Sequence, residues 1–347
     1  MTIDGPALLQ QHNPILVLFP HEPDKRERPG AREAERRGWG DYHPCSAEFL
    51  LARVQQRDQP RPYDFRGLFG QGPRPLERTG LDRLRQRLLG ADPGETHGWE
   101  LDIADIPSQD EKRAWQAYGD LLEETACPYE CVAYARFVDG PSGAALQYWY
   151  LYLYNDFRNN HEADWEMAAI ELTADGSPVQ VGVSCHHRGF RRAWPDAPRA
   201  GERPIVHVAR GSHGGYFAYR REGYPVLDLS RRTNLPLVLR MFTPLVERLP
   251  ELRRWTDHPP ADPQLDAGAD ALERGVRVQP SLRIMAGGTP PRSDAAFWWM
   301  RYEGKWGSTH TRIFGTVGVD SPWGPSHQPA RWRDPVAWIH SLRSDEP

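Results

Sequence analysis

A run of aromatic and aliphatic residues near the middle of the chain constrains the fold most strongly. The segment 148–154 reads Tyr-Trp-Tyr-Leu-Tyr-Leu-Tyr, and such residues favour a β-strand because their side chains pack well on a pleated surface. It leads into the segment 161–166, which reads His-Glu-Ala-Asp-Trp-Glu. In a strand, Asp164 and Glu166 project from one face and Trp165 from the other. The pattern predicts a β scaffold with two carboxylates on one strand face.

Repeated strand patterns predict a mainly β protein with an antiparallel β-sandwich core. Thirteen Trp, 13 Tyr, 33 Pro and 31 Gly suit strands joined by many turns. We expect a single domain over residues 1–347, with helical or irregular insertions near 58–130 and 219–280. The predicted strands are 14–19, 131–138, 148–154, 164–172, 178–186, 204–210 and 296–302. The predicted helices are 46–54 with Ser46 as N-cap, 78–89, 109–124, 235–255, and 334–340 with Asp334 as N-cap.

Composition excludes several classes of protein. A net charge of -4 lacks the positive excess that is typical of nucleic-acid-binding proteins. No segment approaches the roughly 20 apolar residues of a membrane helix. No GxSxG elbow, P-loop or HExxH motif occurs. The spacing of Cys127 and Cys131 is not that of a zinc ribbon or a thioredoxin motif. We expect reduced structural cysteines in a cytoplasmic protein, with a disulfide as the alternative.

Four side chains around the central strand form the first candidate site. Asp156 and His161 flank the loop that separates the aromatic strand from Asp164 and Glu166. Two carboxylates on one face repel each other unless a cation or a shared proton lies between them. An oxygen-rich set with one imidazole suits Mg²⁺, Ca²⁺ or Mn²⁺ better than structural zinc. The alternative is an ordinary polar strand face.

Two further strand ends add candidate catalytic residues. His186 follows the next predicted strand and shares a face with Ser184, and at most one of the adjacent histidines 186 and 187 can face the site. Arg210 and His213 lie in a glycine-rich turn that brings backbone N–H groups close to a ligand. Hydrogen-bonded loop residues are the alternative at both places. These three groups of residues lie at the junctions between strand and loop in consecutive predicted strands. We therefore expect the groups to lie close together at one end of the sheet.

The chain resembles the vacuolar protein sorting-associated protein 62 family over nearly its full length. The matching segments are 14–19, 43–50, 148–156, 161–166, 207–217 and a Trp/Gly/Pro-rich end that includes 302–307, 324–325 and 332–338. The most specific parts are H-x-x-D-W-E and A-R-G-S-H. The family name describes trafficking and specifies no chemistry.

The first block is also similar, more remotely, to the necrosis- and ethylene-inducing-like cytolysins. These carry H-x-x-D-W-E after an aromatic strand that ends in Asp, on a β-sandwich. The resemblance implies that Asp156, His161, Asp164 and Glu166 surround a divalent cation, Mg²⁺ or Ca²⁺. In the cytolysins, that cation serves the binding of sphingolipid sugars in membranes.

Three functional classes stay open. A metal-dependent hydrolase would use the cation to activate water and a histidine to move protons, and the several accessory histidines favour it. A binding protein would hold a lipid headgroup, a glycan or another small polar molecule without turnover, which the aromatic richness and the cytolysin similarity favour. The third class is an interaction protein with a structural cation. We expect the hydrolase, and the sequence does not specify the oligomeric state.

Overall fold

The computed structural model describes a mainly β protein. The described residues are 3–19, 43–58, 81–90, 96, 99–103, 130–155, 161–186, 188–225, 256–271, 273–285, 295–307 and 322–344. The predicted helices 109–124 and 235–255 lie outside them. None of the helices in these ranges is long and apolar enough to cross a membrane.

A meander of five antiparallel strands forms the centre of the larger sheet. These strands are β4 (Val132–Gly140), β5 (Gly143–Asn155), β6 (His161–Leu172), β7 (Pro178–Cys185) and β8 (Arg188–Ala193). Each pairs with the next along the chain, and Tyr150 of β5 lies opposite Glu166 of β6. The sequence prediction of consecutive antiparallel strands is confirmed here, with β5 and β6 longer than expected.

The edges of the larger sheet are parallel pairs, which the sequence did not predict. In the described residues, β15 (Ser281–Ile284) pairs in parallel with β4, and β16 (Arg343–Ser344) pairs in parallel with β8. Both edge strands come from distant segments of the chain. The core is therefore a mixed sheet with an antiparallel centre.

A second, smaller sheet covers one face of the first. In it, β1 (Ile15–Leu18) lies between β10 (Arg203–Val208) and β14 (Val276–Val278). Both β9 (Arg199–Ala200) and β11 (Gly215–Tyr216) pair with β10. Apolar side chains from both sheets share one buried cluster, which gives a sandwich-like arrangement. The cluster includes Leu16, Leu18, Tyr148, Tyr150, Ile170, Val183 and Val206.

The opposite face of the larger sheet is covered by a tryptophan-rich layer. Trp165 stacks on Trp299 with ring centroids 5.7 Å apart and meets Trp306 edge-on at 5.2 Å. Trp299 belongs to the 3-10 helix Ala295–Arg301, so the predicted strand at 296–302 is wrong. Its residues from Phe297 to Met300 are all buried, and a short run buried on every side carries no period that distinguishes strand from helix.

The short helices begin where the caps predict. Ser46 accepts a hydrogen bond from Phe49 N at 3.1 Å at the start of α2 (Ala47–Leu51), and Asp334 accepts one from Ala337 N at 3.0 Å. The helices are α1 (Gly5–Gln11), α2, α3 (Leu81–Gly90), α4 (Pro329–Arg333) and α5 (Pro335–Ser341).

The two segments predicted as insertions also contain paired strands. The first includes β3 (Trp99–Ile103), which pairs with β2 (Val54–Asp58). The second includes β12 (Tyr224–Pro225), its partner β13 (Thr256–Asp257), and β14 of the smaller sheet. The second segment therefore contributes directly to the sandwich.

Candidate functional site

A backbone reversal at Ala163 determines which side chains of β6 face the candidate site. Ala163 has φ +52°, and the regular pairing of β5 with β6 is missing at this residue. As a result, Glu162 reaches the tryptophan-rich side, where its carboxylate accepts a hydrogen bond from Ile103 N at 2.7 Å. His161 lies on the same side as Asp164, and the negative charge of Asp164 acts to raise the pKa of His161. Strict alternation along the strand would have separated this histidine from Asp164.

The His161 ring is oriented by nearby backbone carbonyl groups. Its Nδ1 lies 2.7 Å from the carbonyl oxygen of Ala163, an arrangement that fixes the ring when Nδ1 carries the proton. Burial lowers the pKa of His161, which favours the neutral form. A neutral imidazole with a protonated Nδ1 presents the lone pair of Nε2, as a metal ligand requires.

Asp164 is buried at the end of the larger sheet and held by two neighbours. Its Oδ2 accepts hydrogen bonds from Asn155 Nδ2 at 2.9 Å and from His213 Nδ1 at 3.2 Å. Burial opposes ionisation, but the hydrogen bonds from His213 and Asn155 help to outweigh it, and the pKa of Asp164 is lowered. The carboxylate is therefore charged near neutral pH.

Glu166 lies next to Asp164 and is anchored by neutral donors. Its two oxygens accept hydrogen bonds from the Ser184 hydroxyl and from His186 N, the latter at 3.1 Å. Burial and the charge of Asp164 raise the pKa of Glu166 to about 7, although the charge of Arg331 works in the opposite direction. The two carboxylates thus repel each other, as the strand pattern predicts.

The glycine-rich turn brings His213 to Asp164, whereas Arg210 lies elsewhere. Gly211 and His213 both have positive φ, +72° and +58°, which makes the turn tight. The His213 ring stacks on Tyr152 with centroids 4.0 Å apart, which holds Nδ1 towards Asp164. The guanidinium of Arg210 lies 3.8 Å from the centre of the Phe19 ring, and the backbone N–H of Arg210 donates to His258 O.

His186 is coupled to an aspartate that the sequence analysis missed. Its Nε2 lies 3.1 Å from Oδ2 of Asp257, in β13. Burial opposes protonation of His186, but the hydrogen bond and charge of Asp257, with the charges of Glu166 and Asp164, raise its pKa to about 9. His186 has φ +56°, and its carbonyl accepts a hydrogen bond from Arg331.

Asp257 is the centre of a buried polar cluster. Its Oδ1 accepts from Ser212 Oγ at 2.6 Å, and its Oδ2 accepts from Tyr216 OH at 2.6 Å. Cys185 Sγ lies 3.6 Å from the same Oδ2. Among the described residues, Cys185, His186 and Asp257 are the group of potential metal ligands whose atoms all lie within 4.8 Å of one another. Such a group is capable of holding a metal ion.

The predicted site residues thus meet in part. His161, Asp164, Glu166, His186 and His213 adjoin at one end of the larger sheet, and Asp156 lies outside the described residues. Sequence reasoning missed Asn155, Asp257 and Arg331. Asn155 directly precedes the candidate ligand Asp156 in the sequence, which is a usable local signal. Asp257 and Arg331 are 71 and 145 residues away from their partner His186 in the sequence, so no local sequence pattern indicates that they lie beside it.

Comparisons with known proteins give limited matches. No family model matches the chain, and no curated protein matches its sequence significantly. The resemblance to the sorting family therefore stays a prediction. Similar solved structures are necrosis- and ethylene-inducing proteins, the group to which the H-x-x-D-W-E block is also similar.

One such structure is "Necrosis and Ethylene inducing Protein 2 from the causal agent of cocoa's Witches Broom disease". The match has 21% identity and a TM-score of 0.21, and covers 22% of this chain and 38% of the other. A second is NLPPya in complex with glucosamine, at 18% identity and a TM-score of 0.23, covering 25% and 45%. The chain spans less than half the length of these structures, and a similarity of this extent does not define its fold or ligand.

Proposed function

We propose that this protein binds a divalent cation through Asp156, His161, Asp164 and Glu166, and uses it to hold the hydroxyl-rich headgroup of a glycan or lipid. The observation that supports this function most directly is the buried pair of Asp164 and Glu166. Both carboxylates are anchored by hydrogen bonds, and burial together with the charge of Asp164 raises the pKa of Glu166 to about 7. A divalent cation would remove the repulsion between the two carboxylates.

The chemistry of the donor set favours a hard cation. Carboxylate oxygens with one imidazole suit Mg²⁺, Ca²⁺ or Mn²⁺. The hydrogen bonds from Asn155 and Ser184 fix the two carboxylates in the way that outer partners fix metal ligands. Because Mg²⁺ takes six ligands and Ca²⁺ six to eight, four monodentate side chains would leave at least about two positions for a ligand.

Neighbouring hydroxyl groups of a sugar can fill two adjacent positions on such a cation. Aromatic stacking contributes less to this proposal than the sequence suggested. The largest described aromatic side chains, among them Trp149, Trp165 and Trp306, are fully buried in the core. Recognition would therefore depend on the cation and on the polar side chains around it.

Metal-dependent hydrolysis is the second candidate function. The observation that favours it is the His186–Asp257 pair at 3.1 Å, next to Glu166. A histidine oriented by a carboxylate is a common arrangement for proton transfer. In that case His186 and His213 would serve the reaction, whereas Arg210, which lies over Phe19, would have to reorient.

A binding panel with and without a chelator tests the proposal. Wild-type protein would be applied to immobilised glycans and to vesicles with and without glycosylated lipids, in Ca²⁺, in Mg²⁺ and in EDTA. We expect retention on one ligand class, loss of retention in EDTA, and loss in Asp164→Asn. The matched control is Asp139→Asn, an exposed carboxylate in the β4–β5 hairpin, which should bind like the wild type.

The same ligands separate binding from catalysis. Retention without product formation supports the first function, whereas EDTA-sensitive cleavage of a glycoside, ester or phosphodiester supports the second. Retention or cleavage that is equal in Asp164→Asn and in EDTA would exclude this site from either function.

A further inference from the structure

We propose that Cys185, His186 and Asp257 form a second metal site, selective for a thiophilic ion such as Zn²⁺ and separate from the oxygen-rich site of Asp164 and Glu166. The three ligands come from the end of β7 and from β13, and their potential ligand atoms lie within 4.8 Å of one another. The proposal does not depend on a cation at Asp164.

The distances between the ligand atoms match a tetrahedral zinc ion. Bond lengths of about 2.3 Å to sulfur and about 2.0–2.1 Å to nitrogen and oxygen place sulfur about 3.5 Å from oxygen, and nitrogen about 3.3 Å from oxygen. The corresponding separations are 3.6 Å for Cys185 Sγ and 3.1 Å for His186 Nε2, each measured to Asp257 Oδ2. Two of the three separations are therefore within a few tenths of an ångström of those around a tetrahedral ion, and the third, between Cys185 Sγ and His186 Nε2, is at most 4.8 Å.

Charge and hardness distinguish this group from the neighbouring site. A thiolate, a carboxylate and a neutral imidazole around Zn²⁺ sum to zero charge, which suits a buried location. Thiolate ligands select thiophilic ions, while the carboxylates of the other site suit Mg²⁺ or Ca²⁺. A metal ion here would displace two protons to solvent, one from the Cys185 thiol and one from the His186 imidazolium, so metal binding releases protons.

The surroundings of the three ligands are built to hold them. Ser212 Oγ donates to the remaining oxygen of Asp257, and Tyr216 OH lies 3.1 Å from Cys185 Sγ. A Cβ atom at Gly214 would lie 2.9 Å from Cys185 Sγ and 3.0 Å from Asp257 Oδ2, so only glycine lets the turn close over the ligands. The His186 side chain is 20% exposed, which leaves one side of the group open to an incoming ion.

A site of this composition has a consequence for the function of His186. An imidazole nitrogen that ligates a metal cannot transfer a proton. Occupied by metal, the group would therefore stabilise the end of β7 next to Glu166 rather than serve as a general acid or base. This would favour headgroup binding over hydrolysis at the adjoining site.

Cobalt substitution tests the proposal because Co²⁺ reports a thiolate ligand directly. Full-length protein stripped with a chelator would be titrated with Co²⁺, and we expect one equivalent to produce a thiolate-to-cobalt charge-transfer band in the near ultraviolet that Zn²⁺ abolishes. Cys185→Ser should lose the band, and Ser212→Ala should weaken cobalt affinity by about 10–100-fold. Cys131→Ser is the matched control and should keep the band.

The outcomes separate this site from the proposed cation site. Asp164→Asn should keep the cobalt band even though it loses Ca²⁺ or Mg²⁺ binding. No band in the wild type, or a band that persists in Cys185→Ser, would overturn the proposal. If circular dichroism shows that Cys185→Ser does not fold, His186→Gln provides the second test, because its side chain is partly exposed: an unchanged cobalt affinity in that variant would also overturn it.

Discussion

Ala163 allows one strand to present both an imidazole and a carboxylate to the same site. Its φ of +52° interrupts the alternation of β6, so His161 and Asp164 share a side although they are three residues apart. A left-handed conformation costs a non-glycine residue roughly 1–2 kcal/mol. The surrounding sheet and the tryptophan-rich layer offset this cost, and such strain is typical of functional sites.

Replacing this alanine by glycine tests the strain. In Ala163→Gly, the loss of a buried methyl group should be largely offset by relief of the left-handed conformation, which leaves the free energy of unfolding within about 1 kcal/mol of the wild type. Ala169→Gly is the matched control: Ala169 is buried in the same strand without the strain, so it should lose about 1–2 kcal/mol. Urea denaturation measures both. Equal losses in the two variants would contradict the account.

At the scale of elements, the C-terminal helices are tied to the larger sheet by two buried polar side chains. The Arg136 guanidinium donates to Trp332 O and lies 3.4 Å from the centre of the Trp332 ring. Gln147 bridges Arg136 and the carbonyl of Arg331, and Arg331 in turn contacts His186 O near Glu166. This chain of contacts connects the packing of α4 to the candidate site.

Arg136→Met should therefore weaken both stability and the site. The carbonyl of Trp332 loses its buried donor, which costs about 1–3 kcal/mol, and Arg331 is less well fixed beside Glu166. Chemical denaturation and cation titration measure the two effects. Arg333→Met, at an exposed position of the same helix, should change neither. A variant at Arg136 that is destabilised without any change in cation affinity would show that α4 acts on stability alone.

His207 in β10 contributes to the pH dependence of the protein's stability. Burial lowers its pKa, and its Nδ1 lies 2.8 Å from Pro260 O. Because the unfolded chain binds the proton more readily, the contribution of this group to stability is present above about pH 6.5 and is lost as the pH falls below it.

Denaturation above and below about pH 6.5 tests this assignment, since that is the ordinary pKa of histidine. His207→Gln should reduce the acid-side loss of stability. His340→Gln is the control, because the His340 side chain is 52% exposed, and it should behave like the wild type. An unchanged pH dependence in His207→Gln would assign the effect to other groups.

Elements with a distinct local signal could be predicted from the sequence, whereas a buried aromatic run that forms a helix could not. The aromatic and aliphatic composition of β5, the alternation of Asp164 to Glu166 in β6, and the caps at Ser46 and Asp334 each depend on neighbouring residues. The run Phe297–Met300 within Ala295–Arg301 is mostly aromatic and buried, so its composition favoured a strand although the segment forms a 3-10 helix.

At the scale of the whole molecule, the site depends on contacts that link distant parts of the chain. The meander of the larger sheet could be predicted, but its parallel edges come from segments near residues 281 and 343. Asp257 reaches His186 from β13, and the turn at Gly214 closes over both Cys185 and Asp257. A single sequence contains no local signal for such pairings. The motifs therefore indicated His161, Asp164 and Glu166, whereas Asp257 and Arg331 could be placed beside them only by the fold.

Calorimetric titration of chelator-treated protein with Ca²⁺, Mg²⁺ and Mn²⁺ determines whether Asp164 and Glu166 form a divalent-cation site. We predict saturable binding of one equivalent in the wild type and in Asp139→Asn, and its loss in Asp164→Asn and Glu166→Gln. Bound cation should also stabilise the fold, by about 2.7 kcal/mol at a concentration of 100 times Kd. Folded wild-type protein that binds none of these ions, or an Asp164→Asn variant that binds them with unchanged affinity, would contradict the account.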